Sequence, residues 1–249
     1  MGILGIVIAA TAIAGAESPA KPFPAPVRAL VITGGHDFER TAFFAMFDAM
    51  KDVTWTEAVQ PGANTRYTPE AAREYDVLVF YDMWQDIGEE QKAQLVRAVK
   101  EDGKGVVALH HCVVSYQAWP EFRTIIGGQF TFGETTIDGK KYGPNTFDLG
   151  QTFRIRIADP ADPVTKGIAD FDIVDETYGG FYVASDVKPL LTVEHPKSGP
   201  VVGWSKTYGN ARVVYLQSGH DHTAFENEGY RALVHNAILW TSKLRDAQP

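Results

Sequence analysis

Apolar residues along this chain fall into short, nearly unbroken runs separated by stretches in which they recur every three or four positions. Val27–Ile32, Tyr75–Tyr81 and Gly105–Leu109 are runs of the first kind. Runs this short and this apolar fit strands buried on both faces. Between them, Phe43, Phe47 and Met50, then Ile87, Gln91, Leu95 and Val99, repeat at helical spacing. Val53–Thr56 alternates as a strand does, and a helix is expected from Phe122 to Ile126. Strands alternating with helices at these distances imply right-handed crossovers and a parallel sheet. The expected fold is therefore α/β: three layers, a flavodoxin-like, mostly parallel sheet with helices on both faces. From Gly127 to Gly150 the pattern fades into Gly-rich polar sequence, which reads as an insertion. Phe153–Ile157, Leu190–Val193, Val201–Trp204 and Arg212–Leu216 read as later strands, some of them antiparallel. Tyr230, Leu233, Val234, Ala237 and Ile238 form the stripe of a last helix, with Thr223–Glu226 as its capping box.

The two ends refine this picture. Residues 1–16 are apolar and finish in Ala14-Gly15-Ala16, a small-x-small pattern that predicts a cleaved signal peptide, although no Lys or Arg precedes the run. Residues 17–26 are Pro-rich and read as an extended tether, leaving 27–249 as a single domain. The expected location is periplasmic or secreted, with no integral membrane segment once the signal is removed. With 45% hydrophobic and 22% charged residues the chain has an ordinary globular composition. Its net charge of −8 and scattered Lys and Arg argue against nucleic acid as a partner. A single cysteine, Cys112, allows no internal disulfide. The sequence leaves a homo-oligomer open.

Candidate chemistry collects where the strands end. In an open parallel sheet, ligands bind outside the carboxyl ends of the strands. There stand Gly34-Gly35-His36-Asp37, then Asp82, then His110-His111-Cys112, then Gly219-His220-Asp221-His222, so five of the seven histidines occupy such positions. Histidine is the side chain suited to proton transfer near neutral pH and the commonest metal ligand. His220 and His222 would share one side of an extended segment and could grip a divalent ion together. His111 reads as structural, and His195 and His235 as surface residues. Asp175-Glu176 reads as lying in a loop. Trp84, Trp119, Tyr178 and Tyr182 are candidates for stacking on a sugar face. The Gly34-Gly35 turn lacks a G-x-G-x-x-G or Walker pattern, so a nucleotide is not expected. Cys112 is a rival nucleophile, but no glycines flank it as at a strand-to-helix elbow.

Gly103-Lys104-Gly105-Val106-Val107-Ala108-Leu109-His110, Phe122 with Ile125-Ile126-Gly127-Gly128, Asp175-Glu176-Thr177-Tyr178, and Trp204 with Tyr208–Tyr215 and Gly219-His220 together resemble the ThuA-like (trehalose utilisation) family. The resemblance spans about residues 27–242. It implies a class I glutamine amidotransferase-like fold in which His110 stands where amidotransferases carry their cysteine. It further implies a sugar-catabolism enzyme acting on a keto-sugar or glycoside, by 3-keto-glycoside isomerase or lyase/hydrolase chemistry. His110, Glu176 and His220 are the expected catalytic residues, and His36, Asp82 and Tyr178 the expected substrate contacts. A divalent metal such as zinc would be held by His36, His110 and His220. Some relatives place a histidine after the third strand, where this chain has Asp82. The alternatives are a noncatalytic carbohydrate-binding module and a Cys112 amidotransferase or hydrolase.

Overall fold

The structure, a computed structural model, describes Gly2, residues 25–244 and Asp246. The expected signal peptide and most of the tether lie outside these residues. In chain order the elements are β1 (Val27–Gly34), α1 (Arg40–Asp48), β2 (Val53–Val59), β3 (Val77–Asp82), α2 (Glu89–Val96), β4 (Gly105–Leu109), α3 (Pro120–Ile126), β5 (Gly128–Gln129), β6 (Thr135–Ile137), β7 (Lys140–Tyr142), β8 (Thr146–Ile157), β9 (Phe171–Gly179), β10 (Tyr182–Val183), β11 (Lys188–Thr192), β12 (Val201–Tyr208), β13 (Ala211–Leu216), α4 (His222–Phe225) and α5 (Glu228–Ser242). A tight 3-10 turn, His110–Val114, follows β4 directly.

One nine-stranded sheet runs β2-β1-β3-β4-β13-β12-β11-β8-β9. Its first five strands are parallel and its last four antiparallel. The apolar runs are unbroken because both faces of the parallel half are covered. Along β1, Val27, Ala29 and Val31 enter the core under α1 and α5, while Leu30 and Ile32 enter the opposite core with residues of α2 and α3. β3 divides in the same way: Val77, Val79 and Tyr81 on one side, Leu78 and Phe80 on the other. Period-two alternation is thus present but invisible to a hydropathy scan, since both sets are apolar. Among the described residues no helix is long and apolar enough to cross a membrane.

The antiparallel half carries the feature that builds the site. β8 pairs with β11 only through Arg156 and Ile157, yet pairs with β9 along Thr146–Ile155. The β8–β9 ribbon therefore extends beyond the main sheet, with β9 at its edge. The faded segment after α3 holds β5 and the small β6–β7 hairpin. Two sequence expectations change here. Asp175 and Glu176 lie in β9 rather than in a loop, and the last helix starts at an Asn227 cap, whose side chain accepts from Tyr230 N at 3.1 Å. The Thr223–Glu226 stretch instead belongs to α4, capped by Asp221.

Candidate functional site

His110 opens the site. As the first residue after β4 it has φ +50°, the left-handed region that a β-carbon disfavours by about 1–2 kcal/mol. Its surroundings impose that conformation: Tyr215 donates its hydroxyl to the His110 carbonyl at 3.0 Å, and His110 Nδ1 lies 2.7 Å from the Gln217 carbonyl. A carbonyl only accepts, so Nδ1 carries a proton, and Nε2 is the ring nitrogen turned towards the other groups of the site. Nε2 faces Glu176 Oε2 at 3.0 Å, the Tyr178 hydroxyl at 3.0 Å and His220 Nδ1 at 3.3 Å. His220 Nδ1 is itself 3.3 Å from Glu176 Oε2.

Strand geometry explains why β9 supplies two of these groups. Residues two apart on a strand share a face, so Glu176 and Tyr178 point to His110 while Asp175 points away. The Asp175 carboxylate accepts the backbone N–H of Gly219 at 2.8 Å, of His220 at 3.0 Å and of Glu176 at 2.8 Å. It thereby fastens the 219–220 loop to β9. Gly219 has to be glycine: its φ is +126°, and a β-carbon there would stand 2.4 Å from the Tyr230 hydroxyl oxygen.

The charges follow from this packing. Burial alone would push the Glu176 carboxyl up, but hydrogen bonds from His110 and His220 outweigh it and hold the group well below the usual range. The hydrogen bond to Glu176 raises His220 against the effect of burial. Burial pushes the Tyr178 hydroxyl well up, so it stays a neutral donor. Burial, with the neighbouring imidazoles of His110 and His36, pushes His111 well down, so that ring is neutral.

Of these groups His110, His111, Glu176 and Tyr178 line a cavity of about 190 Å³, and His220 meets His110 and Glu176 without lining it. His36, His110, His111, Glu176 and Tyr178 supply its polar lining, and Met83, Val114, Phe130, Phe132 and Phe147 its apolar walls. The His36 and His111 rings stand 4.8 Å apart between centroids, and those of His36 and His220 stand 6.3 Å apart. The expected catalytic trio is thus assembled, and His36 and Tyr178 reach the same hollow.

Other expectations are corrected. Asp82 does not line the cavity; it is wholly buried and hydrogen-bonded to Gln60, Ser115 and Tyr116. His222 turns away to pair with Glu39 at 2.8 Å, because Asp221 is used to cap α4. Cys112 is completely buried and absent from the cavity wall, and burial pushes its thiol well up, so it is not placed as a nucleophile. His235 is half-buried against Asp52 at 2.7 Å rather than free on the surface. Of the four aromatic residues expected to stack on a sugar, only Tyr178 lines the hollow. His111 and the three phenylalanines went unnoticed. His111 reads as structural in the sequence, but the turn that begins at His110 brings its ring to the cavity; the phenylalanines lie in the segment where periodicity fades.

The donor set fits a divalent ion, with Glu176 in the place expected for His36. One ligand atom each from His110, Glu176 and His220 lies within 4.8 Å of the others. Their separations of 3.0, 3.3 and 3.3 Å match the roughly 3.3 Å edges of a tetrahedron with metal bonds of about 2.0–2.1 Å. The Nδ1–H of His110 on a backbone carbonyl is the usual outer support of a metal-bound imidazole.

The trehalose utilisation (ThuA) family model matches residues 28–241. The chain belongs to the ThuA family. Solved structures support the fold. A ThuA-like protein from Parabacteroides merdae superposes with a TM-score of 0.73 at 19% identity, covering 90% of this chain and 92% of that one. One from Bacteroides uniformis gives 0.67 at 21% identity, over 90% and 95%. PurLQS from Thermotoga maritima gives 0.54 at 15% identity, over 86% and 99%, in keeping with the glutamine amidotransferase-like fold of this ThuA chain. No curated protein matches the chain.

Proposed function

We propose that this ThuA-family chain is a carbohydrate-processing enzyme that moves a proton at the carbon beside the carbonyl of a keto-sugar or keto-glycoside. The observation that carries this reading is the meeting of two imidazoles and one carboxylate within 3.0–3.3 Å, two of which, His110 and Glu176, line a hollow of about 190 Å³. A ketone acidifies the adjacent C–H bond. Glu176, held ionised, takes that proton, and the electron pair moves to the carbonyl oxygen. His220 and the neutral hydroxyl of Tyr178 present N–H and O–H donors to the oxygen as it becomes negative. Protonation of the former carbonyl carbon, with the hydroxyl of the deprotonated carbon losing its proton to become the new carbonyl, isomerises the sugar. Re-forming the carbonyl while the glycosidic oxygen leaves from the carbon on the far side of the deprotonated one makes a C=C bond and cleaves the glycoside. The first proton transfer is common to both outcomes. His110, Glu176 and His220 are also the residues that would hold a divalent ion such as zinc. Bound there, the ion supplies Lewis-acid polarisation of the substrate oxygen, and His36 and His111 remain as the imidazoles facing the same cavity.

The test is isotopic. The protein is incubated in D2O with 3-keto-glucosides, with and without chelator, and NMR reads deuterium uptake beside the ketone. Uptake with wild type, falling by about 10²-fold or more in Glu176→Gln, is the expected result. Wild-type rates in both Glu176→Gln and His110→Ala would end the proposal.

A further inference from the structure

The walls above the His–Glu floor carry information that the floor does not. Between α3 and β8 the chain leaves the sheet, forms the β6–β7 hairpin and returns, and both stems of this excursion bring phenylalanines to the cavity. The stems are tied together: Thr131 N donates to Asn145 Oδ1 at 2.7 Å, Asn145 N donates to the Thr131 carbonyl at 2.9 Å, and Asn145 Nδ2 donates to the Gly180 carbonyl at 2.7 Å. On one stem Phe130 and Phe132 are two residues apart. On the other, Phe147 is the direct cross-strand partner of Tyr178, so the two share a face of the ribbon.

A continuous aromatic path results. The Phe132 ring lies 5.3 Å from Phe130, Phe130 lies 5.1 Å from Tyr178, and Tyr178 lies 5.1 Å from His110. Exposure along the path is graded: Phe132 is 57% exposed and Phe147 53%, whereas Phe130 is 1% and Tyr178 4%. Large aromatic faces left in water at the mouth of a cavity lose that exposure when a ligand enters. The upper wall, made by Met83, Val114 and the phenylalanines, offers no strong hydrogen-bonding side chain. A ligand bearing hydroxyls at both ends would leave one end unpaired against rings. The hollow of about 190 Å³ holds roughly six waters' worth of volume, enough for one sugar-sized unit and little more. Phe132 and Phe147 are the exposed apolar residues of the lining, so a group attached to that unit and reaching towards solvent can lie against them.

We infer that Phe132 and Phe147 form a second subsite that selects ligands carrying a planar apolar group, an aryl or similar aglycone, on the polar unit seated at the floor. The inference deepens the carbohydrate reading and rests on it for the identity of that polar unit. A phenyl ring packed against these side chains removes on the order of 100 Å² of apolar surface from water, an affinity gain on the order of tenfold or more.

The experiment compares matched probes: the phenyl and methyl 3-keto-β-glucosides, and, without sugar, 1-phenyl-1,2-ethanediol and 1,2-propanediol. Dissociation constants are measured calorimetrically for wild type, Phe132→Ser, Phe147→Ser and the double variant, with thermal melts to confirm folding. Because both side chains are largely exposed, neither substitution opens the core. A phenyl-to-methyl preference of about tenfold or more in wild type, collapsing towards one in the double variant, is expected. Equal affinities in wild type, a preference that survives both substitutions, or failure of every phenyl-bearing probe to bind would each overturn the subsite. A preference confined to the diols, with neither glucoside bound, would uphold the subsite and sink the carbohydrate reading instead.

Discussion

Asp82 offers the sharpest physical test of the structure. Its carboxyl is fully buried, with no salt bridge to it among the described residues. Oδ2 accepts from Gln60 Nε2 at 3.2 Å, Oδ1 from the Ser115 hydroxyl at 3.3 Å, and the Tyr116 hydroxyl stands 3.4 Å from Oδ2. Burial outweighs these hydrogen bonds and pushes the group up to about 7. In the unfolded chain it returns to about 3.9. Between these values the unfolded state gives up its proton first, so stability attributable to Asp82 is full in acid and is lost as pH rises towards 7. Three units at about 1.4 kcal/mol each make a loss on the order of 4 kcal/mol. Asp82→Asn removes the titration and keeps one acceptor, at a cost of about 1 kcal/mol for the weakened hydrogen bonds. The two stability curves therefore cross. Near pH 4 wild type is the more stable; at pH 8 the variant leads by on the order of 3 kcal/mol, roughly 6–12 °C in melting temperature for a chain of this size. Thermal melts of both proteins from pH 4 to 9 measure this directly, and taking the difference cancels groups unaffected by the substitution. Parallel curves would refute the reasoning. Turnover should survive the substitution, since Asp82 does not reach the cavity.

Three further outcomes are expected. Asp175→Asn turns an amide N–H towards one of three backbone donors, loosening His220; activity should fall about 10–100-fold, and the His220 resonance should titrate at a different pH by NMR. An unmoved titration would leave Asp175 with a merely structural role. Zinc at about 100 times its dissociation constant should add roughly 2.7 kcal/mol to wild type, a rise of about 5–10 °C, and nothing to His220→Ala; a wild-type melt indifferent to zinc removes the ion from the proposal. Cys112→Ser should stay active while losing about 1–3 kcal/mol for burying a hydroxyl, so loss of turnover in a folded variant would reinstate the thiol chemistry.

The parallel half of the fold was legible because each of its strands is apolar on both faces and ends in a polar turn. β1, β3 and β4 can be drawn from the sequence nearly to the residue, and with them the positions of His36 and His110. β9 could not be drawn in the same way. It is an edge strand whose burial alternates only as far as Val174 and is continuous from Asp175 to Tyr178, and Asp172, Asp175 and Glu176 disguise it as a solvated loop. Asp175 and Glu176 are charged because they bind other parts of the site, not because water surrounds them. The H-x-H spacing of His220 and His222 misled for a related reason. Asp221 between them prefers to cap α4, and the cap turns the second imidazole outward. Asp82 illustrates the opposite error: a carboxylate at a strand end was taken for a ligand contact, although three neutral donors were waiting to bury it.

The way the site is assembled bears on what it can do. β9 is the last strand in a sheet order that places β4 five positions away, so pairing alone would never bring Glu176 to His110. Contact arises because the ribbon separates from β11 beyond Arg156 and meets the parallel strands at their carboxyl ends, where the Asp175 carboxylate locks it to Gly219 and His220. Each partner brings something the other half lacks. The parallel strands bring imidazoles on a rigid, fully buried frame, with His110 held in a left-handed conformation by Tyr215 and Gln217. The ribbon brings the carboxylate, the tyrosine hydroxyl and, across the strand pair, Phe147. Charge and apolar wall therefore arrive on one element. A movement of the ribbon would displace Glu176, Tyr178 and Phe147 together, which couples the polar floor to the aromatic mouth mechanically as well as sterically.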